Sequence, residues 1–185
     1  MRTLIEKNVS GTGILLLFLI TNLVYGIMLF ITIPKVMSFS GGMKLFDLSP
    51  FGYSVEYADA LLRSLGMEGR SAYLYAQLPF DMIYPFLFGV TYCLMIAYFL
   101  NKLEALKGPL FYLCCLPVGA GIFDYLENIG IITMLRGYPN NPDYLILTTS
   151  SFTIIKSMLS AAGFMVLIIA WLIFSAKKLL RMNDS

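Results

Sequence analysis

Apolar residues in this chain come in long unbroken runs, not in the alternation of a half-buried strand. A helix that crosses a bilayer needs about 20 mainly apolar residues. Four stretches reach that length, at about 13–33, 79–100, 109–135 and 145–174. The pattern predicts an all-α integral membrane four-helix bundle. The first run is longer than a signal-peptide core of about 7–15 residues, and no Ala-x-Ala site follows it, so it reads as a retained helix ending at Pro34. Pro79 and Pro85 predict bends near the start of the second span.

The connection 34–78 is too long for a turn and has a pattern of its own. Val55, Ala58, Leu61, Leu62 and Leu65 repeat at helical spacing, while Glu56, Asp59 and Arg63 fill the opposite face. Ser54 suits an N-cap and Gly66 a C-terminal cap. An extra amphipathic helix of about three turns is predicted. It either lies in the membrane interface or caps the mouth of the bundle. Four acids (Asp47, Glu56, Asp59, Glu68) balance four bases in this connection, which weakens attraction to anionic lipid and favours the cap.

Composition agrees with the runs. Hydrophobic residues make up 58% of the 185 and charged residues 13%, with a mean hydropathy of +0.78. Residues 1–185 are read as one transmembrane domain, since the length leaves no room for a second of ordinary size. A net charge of +2 and the lack of basic, aromatic-rich loops exclude a nucleic-acid partner. Histidine is absent, which removes His-ligated metal and His-based triads, so no metal or cofactor is expected. Cys93, Cys114 and Cys115 lie within apolar runs and read as small buried hydrophobes.

Orientation follows from Lys and Arg in the short flanks. Arg2 and Lys7, Lys102 and Lys107, and Lys177, Lys178 and Arg181 fall on one side of a four-span topology. Both termini are therefore expected in the cytoplasm, with the protein in the cell's inner (plasma) membrane and connection 34–78 outside.

Candidate chemistry lies in the few charges within the spans: Asp81, Asp124, Glu127 and Lys156. Each costs about 2.5–3.5 kcal/mol to insert on translocon scales. All four fall at comparable depth, in the half of the bundle facing the long connection, which predicts one shared site. Asp124, Glu127 and Asn128 share one helix face, with Gly121 a turn earlier allowing a neighbour close. Asp81 shares a face with Tyr84 and Pro85, and Lys156 with Thr149, Thr153 and Ser160. The predicted ligand-binding set is Asp81, Tyr84, Asp124, Glu127, Asn128 and Lys156, with Asn22 and Tyr25 as a floor. Lys156 is expected to pair with one of the acids. Tyr92 and Tyr98 read as packing aromatics.

Several strings together carry a resemblance: Gly52-Tyr53-Ser54, Leu61-Leu62, Leu65-Gly66, Gly69-Arg70 with Tyr73, Asp81 with Tyr84-Pro85, and Phe123-Asp124-Tyr125-Leu126-Glu127-Asn128. Over about 52–128 the chain resembles a family of small prokaryotic four-span membrane proteins, and that resemblance implies no activity. In architecture it is also similar to the EXPERA family, whose spans carry acids facing an amine or sterol cavity. The absence of histidine argues against carrying over isomerase chemistry.

Four functions fit these observations. The first is a binding module for an amphipathic or lipid-like ligand, whose charged end meets Asp124 or Glu127 while Phe86, Phe123 and Tyr125 enclose its body. The second is a structural or assembly partner without a ligand. The third is a small proton-coupled transporter, requiring a homodimer. The fourth is an acid/base enzyme acting on a membrane lipid, with catalytic residues undefined. A Ser–Lys dyad of Lys156 with Ser157 or Ser160 is disfavoured by its spacing. The partners expected are therefore membrane lipid and an amphipathic small molecule.

Overall fold

The computed structural model describes residues 11–183, with side chains through Leu180. The positive flank at Arg2 and Lys7, and the Arg181 side chain, lie outside the described residues. Among those described, the chain is helical wherever it is regular, and four helices are long and apolar enough to cross a membrane.

Helix α1 spans Gly11–Met37. It does not stop at Pro34. A π-helical turn at Met28–Thr32 precedes the proline, and Ile33–Met37 continues as α-helix. Proline removes a backbone donor and its ring clashes with the carbonyl four residues back. The wider turn loosens that part of the hydrogen-bond ladder, so the helix passes the proline instead of ending.

The amphipathic helix is α2, Val55–Ala72. The Ser54 hydroxyl accepts the Tyr57 backbone N–H at 3.2 Å, the N-cap bond expected of serine there. Gly66 adopts φ +59°, a left-handed conformation that favours glycine, and there the helix kinks. Gly66 thus divides the helix without terminating it, because Met67–Ala72 resumes helical geometry. Ala58, Leu61, Leu62 and Leu65 are fully buried. They pack with Phe46, Ile131, Met134 and Ile146. That burial selects the cap over the interfacial fate.

From α2 the chain runs through a π-helical turn, Tyr73–Gln77, directly into α3, Leu78–Lys102. Pro79 sits in the first turn of α3 and Pro85 inside it. A 3-10 stretch, Pro109–Cys114, leads into α4, Cys115–Gly137, and a short connection into α5, Asp143–Asn183.

The main packing pairs are α4 with α5, α3 with α4, α1 with α3, and α3 with α5. Cys93 and Cys114 are buried beside Ile96, Ala97 and Leu100 at the end away from the cap, and all three cysteines are free. Outward faces are strongly apolar: Leu16, Leu23 and Phe30 on α1 and Ile168, Trp171 and Leu172 on α5 are exposed. Faces of this kind require lipid or a partner around them.

Close backbone approach sets the α3–α4 distance. A Cβ built on Gly121 would lie 2.7 Å from the Pro85 carbonyl oxygen. Gly26, by contrast, has nothing within 4 Å of such a Cβ. We expect Gly121→Leu to destabilise the bundle by about 1–3 kcal/mol through overpacking. Gly26→Leu should stay within about 0.5 kcal/mol. Thermal unfolding of the two purified variants in the same detergent checks this.

Candidate functional site

The charges predicted to converge do so. Lys156 on α5 projects its ammonium between two carboxylates of α4. It bonds Asp124 Oδ1 at 3.1 Å and forms a tight ion pair with Glu127 Oε2. The second Glu127 oxygen accepts the Thr153 hydroxyl at 2.7 Å. Helical spacing explains the fit: Asp124 and Glu127 are one turn apart on α4, as Thr153 and Lys156 are on α5, so two adjacent turns meet two adjacent turns. Lys156 therefore pairs with both acids, not with one. Glu127 is completely buried.

Asp81 enters from α3 and is 3% exposed. Asn128 donates its side-chain amide to the Asp81 backbone carbonyl at 2.8 Å, which ties α4 to α3 at this level. Among the described residues, Asp81 Oδ2 and Asn128 Oδ1 are buried without a hydrogen-bond partner.

Beside this cluster lies a cleft of about 240 Å³, to which all four long helices contribute. Asp81, Tyr84, Asp124 and Lys156 line it, as do Tyr25 from α1 and Phe88 and Phe164. Its aromatic wall is continuous. Tyr25 stacks on Tyr84 at 5.5 Å, Tyr84 meets Phe88 at 5.8 Å, and Phe88 meets Phe164 at 5.8 Å. Ser157 and Ser160 lie on its α5 side. Tyr25 and Phe164 are 43% and 40% exposed, so the cleft opens sideways between α1 and α5.

The predicted residues separate into two ranks. Asp81, Tyr84, Asp124 and Lys156 face the cleft, whereas Glu127 and Asn128 stand behind it and hold the walls together. Asn22 is not part of a floor. It is exposed and donates to the Phe18 carbonyl of its own helix at 2.7 Å. One residue round the helix, Thr21 is the buried polar group and shares a 2.8 Å hydrogen bond with Thr91. Phe86, Phe123 and Tyr125 do not enclose the cleft. Phe86 is 64% exposed, and Phe123 packs on Phe152 at 6.0 Å. Two residues beyond Tyr84, and one either side of Asp124, a helix has already turned these side chains away.

Asp47 is the functional candidate that sequence reasoning missed. It lies in a 3-10 turn, Phe46–Leu48, of the long connection and is carried by the cap onto the cleft. The Tyr73 hydroxyl donates to Asp47 Oδ1 in a short hydrogen bond, and the Gln77 amide donates to Oδ2 at 3.4 Å. The Thr32 hydroxyl in turn donates to Gln77 Oε1. Thr32 and Gln77 each end a π-helical turn, so both departures from α-geometry border the site. The only trace of this in the sequence is an acid set in the apolar string Leu45-Phe46-Asp47-Leu48.

Tyr53 ties the long connection to α5. Its backbone N–H donates to the Ser150 hydroxyl at 2.8 Å, and that hydroxyl donates back to the Tyr53 carbonyl at 2.9 Å. Burial above all, and then the Glu127 carboxylate, push the Tyr53 phenol well above its ordinary range, so it stays protonated.

Chemically, the site holds four carboxyl groups (Asp47, Asp81, Asp124, Glu127) around one ammonium. A lysine held by two carboxylates has no free lone pair, which argues against Lys156 as the base of a Ser–Lys dyad. Among the described residues, no three His, Cys, Asp or Glu side chains are arranged to hold a metal ion. No family model, curated protein or solved structure matches the chain.

Removing the ammonium should be costly, because it leaves two buried carboxylates without their partner. We expect Lys156→Met to lose about 3–5 kcal/mol of stability. Adding Asp124→Asn and Glu127→Gln to Lys156→Met should recover most of the loss. Chemical unfolding of the single and triple variants in detergent measures both.

Proposed function

We propose that this protein is a membrane-embedded binding module for an amphipathic, lipid-like ligand. The observation that carries the reading is the cleft itself: aromatic along one wall, with Asp47, Asp81 and Asp124 in its lining, and exposed at Tyr25 and Phe164 on two apolar helices. Pockets that hold small molecules are mostly apolar, with a few placed polar groups that fix orientation. A ligand with one polar end and one apolar chain fits that division, its chain leaving through the α1–α5 gap toward lipid.

The ion pair alone would equally serve a structural or assembly role, since buried charges also fix helix register. The cleft beside it favours a ligand. A transporter working by alternating access needs a second moving half, and a bundle of this size has to supply it as a second copy. An acid/base enzyme needs only the carboxyl groups at the cleft and a bound lipid, and nothing in the geometry prefers it.

In this reading the protein sits in the plasma membrane with the cap and Asp47 on the non-cytoplasmic side, as the positive flanks favour. The ligand then enters from the outer leaflet. Phe51 in the cap is 94% exposed, so Phe51→Cys in a cysteine-free background should react with a membrane-impermeant maleimide added to intact cells. Labelling only after the cells are opened reverses the topology.

Binding is tested by thermal unfolding against a panel of single-chain amphiphiles in nanodiscs. At least one should raise the midpoint of the wild type. Ser160→Phe, which fills the α5 side of the cleft, should abolish that shift while its ligand-free midpoint stays close to wild type. A panel that moves neither protein retires the reading.

A further inference from the structure

We infer a second lipid site, separate from the cleft: a groove at the rim of the bundle that holds the head group of a zwitterionic glycerophospholipid, its phosphate on Lys35 and its positive end toward Glu68. The inference uses the membrane placement proposed above and does not depend on what the cleft binds.

The groove has a volume of about 640 Å³ and runs between the end of α1 and the stretch that joins α2 to α3. Lys35 and Phe39, a turn apart, line it from the first side. The second side is one helical face. Glu68, Ala72 and Ala76 follow one another at four-residue spacing, and Met67, Ser71 and Tyr75 do so beside them. Gly69 makes the seam between the two sides tight. A Cβ built there would lie 2.6 Å from Phe39 Cβ, so the backbone of α2 rests against the chain leaving α1. Ala72 and Ala76 are small and leave the space between the walls unfilled.

Depth points to the occupant. The apolar run of α1 ends at Ile33, and Lys35 stands two residues on, about 3 Å further out. The Thr32 hydroxyl donates to Gln77, which sets the turn entering α3 level with this end of α1. Tyr75, in that turn, is 71% exposed. A lysine just past a span and an exposed tyrosine are side chains that meet phospholipid head groups. Deeper surfaces suit the acyl chains. Ile31, one turn below Lys35, is 60% exposed, and Ile83, about two turns below Tyr75, is 53% exposed.

Charge points to the head group. Lys35 and Glu68 line the same groove from opposite sides, and among the described residues neither has an ion-pair partner. A phosphate ester accepts from the Lys35 ammonium and the Ser71 hydroxyl, and a bond to a charged donor is the stronger kind. The positive end of the same head group then lies by Glu68 and by the Tyr75 ring, whose face attracts quaternary ammonium. An anionic head group gains Lys35 but brings nothing to offset Glu68. A diacylglycerol, without charge, engages neither.

The experiment uses the full-length protein in dodecyl maltoside, stripped of co-purified lipid. It is titrated with dioctanoyl-phosphatidylcholine, dioctanoyl-phosphatidylglycerol or dioctanoylglycerol, which share their chains and differ in the head group. Thermal unfolding midpoints are read against the mole fraction of probe. Phosphatidylcholine should reach its half-effect at a mole fraction about threefold lower than phosphatidylglycerol, a margin in keeping with exposed ion pairs. Dioctanoylglycerol should be weakest. Lys35→Gln should bring both phospholipids down to the dioctanoylglycerol level, and Glu68→Gln should remove the difference between them. Both residues are exposed, so the ligand-free midpoints should stay near wild type. Ser160→Phe, which fills the cleft, should leave the order of the probes unchanged.

A wild type that responds equally to phosphatidylglycerol and phosphatidylcholine overturns the zwitterionic head group, as does a Glu68→Gln variant that still separates them. Dioctanoylglycerol acting as strongly as phosphatidylcholine, or a Lys35→Gln variant that keeps the phospholipid preference, overturns the phosphate contact. If Ser160→Phe abolishes the phosphatidylcholine response, the lipid occupies the cleft: this inference falls and the binding module stands. A wild type unmoved by all three probes brings down this inference alone.

Discussion

The interaction on which the bundle's interior depends is the ammonium of Lys156 held between Asp124 and Glu127. Charges removed from water are tolerated only when geometry returns what solvation gave. Here the return is nearly complete: two carboxylates on one turn of α4 meet one ammonium on α5, and Thr153 supplies a further donor to Glu127. Everything polar nearby is arranged around that fixed point. It joins α4 to α5 at the level of the cleft and settles which carboxylates have a counter-charge.

Small residues make the arrangement geometrically possible. Gly121 lets the α3 backbone come against α4, which brings Asp81 to the depth of the Lys156 pair. Asn128 then links the two helices through the Asp81 carbonyl. The result is asymmetric. On the α4–α5 side one ammonium is shared by two carboxylates, and on the α3 side Asp81 Oδ2 is buried without a hydrogen-bond partner among the described residues. The cleft lies beside these groups, lined by Asp81, Asp124 and Lys156 and by the rings of Tyr25, Tyr84 and Phe88, and that lining is the physical basis of the ligand reading.

The cap extends this logic beyond the long helices. Its apolar stripe is buried over the bundle mouth, and the turn leading into it sets Asp47 against the cleft. Tyr73, Gln77 and Thr32 hold that carboxylate through hydrogen bonds that join both π-helical turns. A wider helical turn leaves backbone groups less regularly paired, and such turns often accompany functional sites. Here they occur where α1 passes Pro34 and where the cap passes into α3. The outermost acid is thus supported by the same two helices whose aromatic residues Tyr25 and Tyr84 form the wall of the cleft.

Four long apolar helices, an amphipathic helix between the first two, and four costly charges at one depth were legible in the order of residues, because each follows from local periodicity or from the free energy of placing a group in lipid. The gathering of Asp81, Asp124, Glu127 and Lys156 was legible for the same reason, since helices of known length put numbered residues at known depths. Rotation about each helix axis was not. It decided that Thr21 and not Asn22 turns inward, that Phe86 faces away from the cleft that Tyr84 lines, and that Lys156 takes both acids of α4. Asp47 was invisible because an aperiodic segment carries no phase from which to place it. Depth is a local property of the chain, but facing is set by how helices pack against one another, and only the folded bundle contains that information.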